Sequence, residues 1–190
     1  MKVSKTNMGI LGKFVKNSEG NWLYQTQERA ELKIDICPFL TGPLSQWFPS
    51  PFHDPSLSLD FANAEQYMML HKALTFGDQE IAHKIMATDS PSKAKALGRR
   101  VKNYDDWVWS NKRYNVVLAG NVMKFSQNDY LKDILLVTKD IVLVESNQHD
   151  KIWGAGLSAE DTRIFDPSKW LGQNLLGKVL MEVRSKLTIN

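Results

Sequence analysis

The stretch Phe61–Phe76, FANAEQYMMLHKALTF, predicts the helix around which the rest of the chain is organised. Its apolar residues recur at helical spacing and cover most of the circumference, so the helix is expected to be buried on most sides. Asn63 can cap the first turn, with Gln66 reaching back to it in a capping box. Glu65 then lies in the first turn, where the helix dipole favours its ionised carboxylate.

Glu65 and Lys72 are the two residues of this helix considered for a chemical role. They stand two helical turns apart, so both side chains leave the same face of the helix. An ordinary ion pair at the rim of the core would explain them. The alternative is a pocket in which they act as acid, base or nucleophile, and that interpretation needs support from elsewhere in the chain. The helix alone leaves both interpretations open.

Size and composition indicate one globular domain. The chain has 190 residues, of which 43% are hydrophobic and 24% charged, and its formal net charge is +3. This mild basic surplus permits an anionic ligand without requiring one. The single cysteine, Cys37, excludes an internal disulfide. With no signal-like or membrane-spanning apolar run, the sequence predicts a cytoplasmic protein with no membrane partner.

The order of elements predicts an α+β fold, a compact single domain that is mostly helical with a small antiparallel sheet. Lys13–Lys16 and Trp22–Gln27 are expected to form a hairpin, and Glu31–Cys37 a third strand. Residues 1–38 are thus predicted to be a β-hairpin extension packed on a core domain of residues 39–190. The proline-rich segment from Pro38 to Pro55 is expected to be an ordered loop. The segments expected to follow the central helix are helices at Asp78–Ala87, Ser90–Gly98, Asp105–Lys124 and Asp129–Leu136, a strand at Ile141–Val144, and a last helix ending near Leu187.

Two further stretches carry possible binding chemistry. Five basic residues fall within ten positions with no acid among them, which is typical of a solvated helix face but also of a phosphate site. They are Lys93, Lys95, Arg99, Arg100 and Lys102. The second stretch, Glu145–Leu157, follows the expected strand and holds Asp150, Trp153 and two glycines. This stretch is typical either of a binding loop or of a glycine turn with a core tryptophan.

Several motifs in register resemble those of the NADAR family, which includes the YbiA-like N-glycosidases. The matching segments are LSQWFPSPF (Leu44–Phe52), AEQYMMLHKA (Ala64–Ala73), FGD (Phe76–Asp78), LGR (Leu97–Arg99), KFSQN (Lys124–Asn128), DKIWGAGL (Asp150–Leu157) and WLGQNLLGKVLMEVR (Trp170–Arg184). The resemblance implies a mostly helical α+β domain that hydrolyses the bond between ribose C1′ and a nitrogen. Substrates attributed to the family are ribosylamino-pyrimidine phosphates of riboflavin synthesis and ADP-ribose attached to guanine in nucleic acid.

The resemblance, together with the chemistry, predicts the roles of the catalytic residues. Glu65 would oppose the positive charge that develops on C1′ as the C–N bond breaks. It would either position a water or act beside Lys72, whose amine would attack C1′ and form a Schiff base. Asp150 is grouped with them, binding a ribose hydroxyl or an exocyclic amine. Neither mechanism needs a metal or a cofactor, and the chain offers no clustered His or Cys with ligand spacing.

The remaining predicted site residues bind substrate. Trp47 and Trp153 are expected to stack on the base, with Gly154 allowing a close backbone approach. Arg99, Lys124 and the helix start near Asn174 are candidates for phosphate. The function expected first is removal of ADP-ribose from guanine in nucleic acid. Hydrolysis of a small ribosylated pyrimidine nucleotide, or binding of ADP-ribose or NAD without cleavage, are the alternatives. The sequence predicts no oligomeric state.

Overall fold

The computed structural model describes residues 9–32 and 34–188. They fall into two compact units that are interleaved along the chain. The sheet unit comprises Met1–Leu44 and Ile134–Arg184, and the helical unit comprises Ser45–Asp133 and Ser185–Asn190. Both helices and strands are present, so the predicted α+β class is confirmed.

The helical unit is built around α1, Ala64–Thr75, which packs against α2, α3 and α4. These helices are Gln79–Met86, Pro91–Gly98 and Asp106–Ser126. Asp78, Ser90 and Asp105 cap them by accepting from backbone N–H groups with their side chains. The three helices lie within a residue or two of their predicted bounds. A short antiparallel pair, β4 (Phe52–Asp54) with β5 (Leu59–Phe61), completes the unit, so the predicted proline-rich loop ends in a strand.

The start of α1 follows the prediction in part. The Gln66 N–H donates to Asn63 Oδ1 at 3.0 Å, so Asn63 is the N-cap. The reciprocal half of the predicted capping box was wrong, because Gln66 Oε1 accepts from the N–H of Ala62 at 2.8 Å and not from that of Asn63. The Gln66 amide nitrogen donates to the carbonyls of Ile85 and Thr88. Gln66 therefore fixes the first turn of α1 against the end of α2.

The sheet unit contains a four-stranded sheet in the order β2-β1-β3-β6. The strands are Gly9–Lys16 (β1), Trp22–Arg29 (β2), Ile36–Phe39 (β3) and Val142–Glu145 (β6). The hairpin β1–β2 is antiparallel, as predicted, but β3 pairs in parallel with both β1 and β6. The sheet is therefore mixed and not purely antiparallel. Its core consists of Leu32, Ile36, Val144, Ala155, Leu157 and Ile164.

Two boundaries predicted from the sequence lie in this unit. The third strand was predicted at Glu31–Cys37, but β3 begins only at Ile36, and Lys33 lies outside the described residues. The ends of the predicted division into residues 1–38 and 39–190 also fall outside, at 1–8 and 189–190. That division stays a prediction. Within residues 1–38, the structure shows the antiparallel hairpin at Gly9–Arg29.

The remaining helices are α5, Asp129–Leu136, and α6, Leu175–Thr188, preceded by two short 3₁₀ helices at Thr162–Phe165 and Pro167–Lys169. The longest described helix, α4, has 21 residues and carries Asp106, Lys112, Arg113 and Lys124. Within residues 9–32 and 34–188, no helix is both long and apolar enough to cross a bilayer.

The packing of α1 on α4 depends on Gly120, and this gives a prediction about stability. A β-carbon at position 120 would lie 2.6 Å from Tyr67 Cδ1, and the ring of Tyr67 is itself packed against Phe61. Gly120→Ala is therefore expected to lower the free energy of unfolding by about 1 to 3 kcal/mol, partly offset by the better helix propensity of alanine. Thermal unfolding measures the change.

Gly98→Ala in α3 is the matched comparison. The added methyl group there would meet the flexible side chain of Met69, which can move aside. Gly98→Ala is therefore expected to be the less damaging of the two. Equal melting temperatures for the two variants would contradict this account of the α1–α4 packing.

Candidate functional site

Glu65 lies in the first turn of α1 with only 2% of its surface exposed. Its backbone N–H donates to the carbonyl of Gln46 at 3.1 Å, which attaches the helix start to the segment Ser45–Trp47. A carboxylate at a helix N-terminus is favoured by the dipole, and burial strengthens its electrostatic influence on neighbouring groups. The structure thus places Glu65 in an interior position of the helical unit.

Lys124 in α4 reaches the same segment. Its Nζ donates to the carbonyl of Ser45 at 2.9 Å, and none of its surface is exposed. Desolvation lowers the pKa of this amine to about 7. One turn earlier, the Asn121 amide donates to Gln46 Oε1 at 2.8 Å. The backbone N–H of Glu65 and the side chains of Lys124 and Asn121 therefore all bind Ser45–Gln46, and these residues form a buried polar cluster around that segment.

Sequence reasoning missed two members of this cluster, Gln46 and Asn121. The available signal was the pair Asn121 and Lys124, polar residues three positions apart on the otherwise apolar side of α4. The predicted phosphate role of Lys124 stays a prediction. Lys124 is completely buried and its amine donates to a backbone carbonyl, so the amine is held in the interior of the helical unit.

Lys72 occupies a different environment two turns along α1. Its Nζ lies 4.2 Å from the centroid of the Tyr104 ring, in cation–π geometry. Burial lowers the pKa of the Lys72 amine, the charge of Asp106 opposes that change, and the charge of Arg99 adds to it. The Tyr104 hydroxyl donates to Asp106 Oδ1 at 2.7 Å. Lys72, Tyr104 and Asp106 form a second cluster, and the sequence had given no role to the last two.

Arg99 and Trp47 lie on exposed parts of the helical unit. Arg99 is the C-cap of α3, and Trp47 has 42% of its surface exposed. Lys95 Nζ lies 5.7 Å from the centroid of a Trp47 ring. Trp47 directly follows Gln46, the residue that receives the Glu65 N–H. Trp47, the predicted stacking residue, is thus adjacent in the chain to the buried cluster, and Lys95 of α3 lies over its ring.

The five basic residues around the end of α3 differ in their ion pairing. Lys102 Nζ pairs with Glu80 Oε2 at 3.0 Å, and its backbone N–H donates to Asp78. Lys93, Lys95, Arg99 and Arg100 form no ion pair within the part of the chain that the structure describes. These four are the cations of α3 that remain available to an anionic ligand.

In the sheet unit, Asp150 shapes the loop that follows β6. Its Oδ1 accepts from the N–H groups of Ile152 and Trp153, at 2.9 and 2.8 Å. A β-carbon at position 154 would lie 2.9 Å from the Asp150 carbonyl oxygen and 3.0 Å from that of Glu145. The loop itself therefore requires glycine at 154. Trp153 is half-buried.

Asn174 joins this loop to the last helix. It is fully buried, its Oδ1 accepts from the Glu145 N–H at 3.0 Å, and its amide nitrogen donates to the Leu143 carbonyl at 2.9 Å. Its φ of +49° is in the left-handed region, which asparagine tolerates better than most residues. These bonds account for Asn174 without a ligand. The ligand-binding roles of Asp150, Trp153, Gly154 and Asn174 stay predictions.

Taken by unit, five of the nine predicted residues lie in the helical unit and four in the sheet unit. The first five are Trp47, Glu65, Lys72, Arg99 and Lys124, and the other four are Asp150, Trp153, Gly154 and Asn174. Within the helical unit, Glu65 joins Lys124 at Ser45–Gln46, and Arg99 lies close enough to act on Lys72. A search of the described residues finds no group of three or more His, Cys, Asp or Glu side chains suited to a metal ion.

Comparison with known proteins identifies the class. The profile of the NADAR domain matches residues 39–188, and the chain belongs to this family, as the motifs had indicated. It is 46% identical over 145 residues to the N-glycosidase R617 of Acanthamoeba polyphaga mimivirus, covering 75% of this chain and 85% of that relative.

A second relative and a solved structure extend the comparison. Over 156 residues the chain is 30% identical to the chloroplastic riboflavin biosynthesis protein PYRR of Zea mays, covering 77% of this chain but 23% of that much longer one. The NMR structure of the E. coli protein YbiA matches with a TM-score of 0.66 at 26% identity, covering 81% of this chain and 85% of YbiA. The α+β fold is therefore that of YbiA.

Proposed function

We propose that the protein is an N-glycosidase that hydrolyses the bond between ribose C1′ and a nitrogen of a guanine-like base. The observation that carries the proposal is the buried carboxylate of Glu65, held at the start of α1 in the same unit as amines of lowered pKa. The name of the mimivirus relative supports the same reaction class.

The proposed chemistry starts with the departure of the base. As the C1′–N bond breaks, its electron pair leaves with the base and positive charge develops on C1′ and the ring oxygen. The Glu65 carboxylate would stabilise that charge, and its buried position would make it more effective than in water. The base then takes a proton from solvent or from a neighbouring acid. In the simplest version, a water positioned by Glu65 adds to C1′ and loses its proton.

In the covalent version, the neutral Lys72 amine adds to C1′ while the bond to the base breaks. The ring then opens to a Schiff base, and water hydrolyses it to the free sugar and the amine. Burial of Lys72 supports this version because it raises the neutral fraction of the amine. Lys124, with a pKa lowered to about 7, is the second amine in this unit that could supply a neutral nitrogen.

For the substrate, we favour ADP-ribose linked to guanine in nucleic acid. Support comes from Lys93, Lys95, Arg99 and Arg100, which have no ion-pair partners in the described residues. Of these, Lys95 lies over Trp47 and Arg99 acts on Lys72. A nucleic acid offers many phosphates to such a surface. The alternative substrate, a ribosylamino-pyrimidine phosphate, is supported by the name of the PYRR relative. A module that binds ADP-ribose or NAD without cleavage is the third candidate.

One experiment separates these functions. The purified protein is offered an oligonucleotide with ADP-ribosylated guanine and, separately, a ribosylamino-pyrimidine phosphate, and the products are identified by mass spectrometry. We expect free ADP-ribose and an unmodified oligonucleotide from the first. Release of the pyrimidine alone would favour the riboflavin intermediate. If neither substrate is cleaved while free ADP-ribose binds, the non-catalytic module is correct.

Salt dependence gives a prediction about the substrate. If nucleic acid is bound, kcat/KM should fall steeply with salt, because phosphate contacts release counterions. Arg100→Ala should reduce the slope of log kcat/KM against log salt by about 1. Lys102→Ala should change it less, because Lys102 is already paired with Glu80. A flat response in the unmodified protein would instead favour the small pyrimidine substrate.

A further inference from the structure

Trp107 is exposed to an extent that packing does not explain. It stands at the start of α4 with 76% of its surface exposed, more than any other large hydrophobic residue in the described part of the chain. Trp109, two positions later, is 5% exposed and supplies the core tryptophan of this helix. A large apolar ring left in water on a rigid element is a common mark of a contact surface.

The backbone around Trp107 is held firmly. Asp105 caps α4 by accepting from the Val108 N–H at 2.9 Å. The Trp107 carbonyl accepts from Ser110 Oγ and from the Asn111 amide, at 3.0 and 2.8 Å. The backbone from which the indole projects is therefore fixed by the first turn of the helix, and a ligand that stacks on the indole would order little additional backbone.

The neighbouring residues connect Trp107 to the Lys72 cluster. The Tyr104 hydroxyl donates to Asp106, the residue directly before Trp107. The Tyr104 ring is 43% exposed, lies against Phe76 at 5.3 Å, and carries Lys72 Nζ on it. Trp107 thus follows Asp106, the partner of Tyr104, and Tyr104 contacts the candidate catalytic amine of Lys72.

The charges in this region are mixed, with a basic side towards α3. Asp105 and Asp106 directly precede Trp107, but the first is engaged as the helix cap and the second by Tyr104. Arg99 acts on Lys72, Arg113 acts on Tyr104, and Arg100 adds positive charge directly after the C-cap of α3. An exposed indole near the start of α4, on the same unit as these cations, suits a ligand that combines a flat ring with phosphate, as a nucleotide within a strand does.

We propose that Trp107 stacks on an unpaired base next to the modified guanine, so that the substrate strand is single-stranded where it crosses the start of α4. This inference rests on the proposed function for its substrate, but its binding surface can be tested separately. Bases within a duplex present no open face to an indole, so stacking requires an unpaired neighbour. Phosphates of the same strand would then lie towards Arg99 and Arg100.

The first test measures binding without catalysis. The probe is an unmodified, fluorescently labelled single-stranded oligodeoxynucleotide, and fluorescence anisotropy gives its Kd. Trp107→Ala is expected to raise the Kd about 5- to 100-fold, Trp107→Phe much less, and the salt slope should not change because no charge is lost. The matched control is Tyr130→Ala, because 48% of the surface of Tyr130 is exposed and the variant removes an aromatic ring elsewhere. This variant should bind the oligonucleotide like the unmodified protein.

The second test measures how kcat/KM depends on the length of the substrate strand. In the unmodified protein, kcat/KM should rise when the ADP-ribosylated nucleotide is extended to an oligonucleotide, and Trp107→Ala should remove most of that rise. A variant that keeps both the rise and the Kd would overturn the inference while the proposed activity stands. If the variant weakens strand binding but no substrate is cleaved, the proposed activity fails and the stacking surface stands. Equal competition by duplex and single strand would also overturn it.

Discussion

Glu65→Gln is expected to lower kcat by at least about a hundredfold while the protein still unfolds in a single cooperative transition. The substitution keeps the shape of a side chain that is 2% exposed and removes its negative charge. That charge acts in the transition state, where C1′ is most positive, so its loss should appear mainly in kcat. The measurement is steady-state kinetics on the cleaved substrate, with the melting curve recorded on the same preparation.

The matched control is Glu80→Gln. It removes a carboxylate on the surface of the same unit, where Glu80 pairs with Lys84 and Lys102. Its kcat should stay close to that of the unmodified protein. Near-normal kcat in Glu65→Gln with an intact melting curve would remove Glu65 from the mechanism.

Lys72→Met should have a comparable effect if the covalent mechanism operates, lowering kcat by about two to three orders of magnitude. The variant keeps an apolar stem against the Tyr104 ring and removes the amine. Borohydride added during turnover should trap a reduced adduct on the unmodified protein, and peptide mass should locate it at Lys72. The rate should also rise with pH, because only the neutral amine attacks, and burial places its pKa below the usual value for lysine.

The location of the trapped adduct distinguishes the half-buried amine of Lys72 from the fully buried amine of Lys124. Lys124 has the pKa of about 7 and contacts the same segment as Glu65. An adduct that maps to the peptide of Lys124 would transfer the nucleophilic role to that residue. If no adduct forms but Lys72→Met is inactive, Lys72 orients or binds the substrate, and a water attacks C1′. Normal activity of Lys72→Met would eliminate both roles.

Local signals predicted the helical unit well. Asn63 and Ser90 are helix caps whose side chains act within three residues, so their effect can be read from adjacent positions. The motifs in register from Leu44 to Arg184, taken together, were sufficient to indicate the family. The spacing also placed Glu65 correctly in the first turn of a helix buried on most sides.

Long-range contacts limited what the sequence could predict. The parallel pairing of β3 with β6 joins residues far apart in the chain. No local sequence pattern indicates whether two such strands pair in parallel or antiparallel. The burial of Lys124 depends on Ser45, 79 positions away, and the contact of Asn121 with Gln46 spans 75 positions. The cation–π contact between Lys72 and Tyr104 likewise depends on how α1 meets the segment before α4.

The interleaving of the two units has a consequence during protein synthesis. The helical unit is almost entirely one continuous stretch, whereas the sheet closes only when β6 reaches β3, where Ser146 Oγ donates to the Phe39 carbonyl across 107 positions. At ribosomal rates of about 5 to 20 residues per second, β3 waits roughly 5 to 20 seconds for its partner. During that interval its apolar residues Ile36 and Phe39 lack one neighbouring strand, so chaperone binding to the nascent chain should be greatest at this strand.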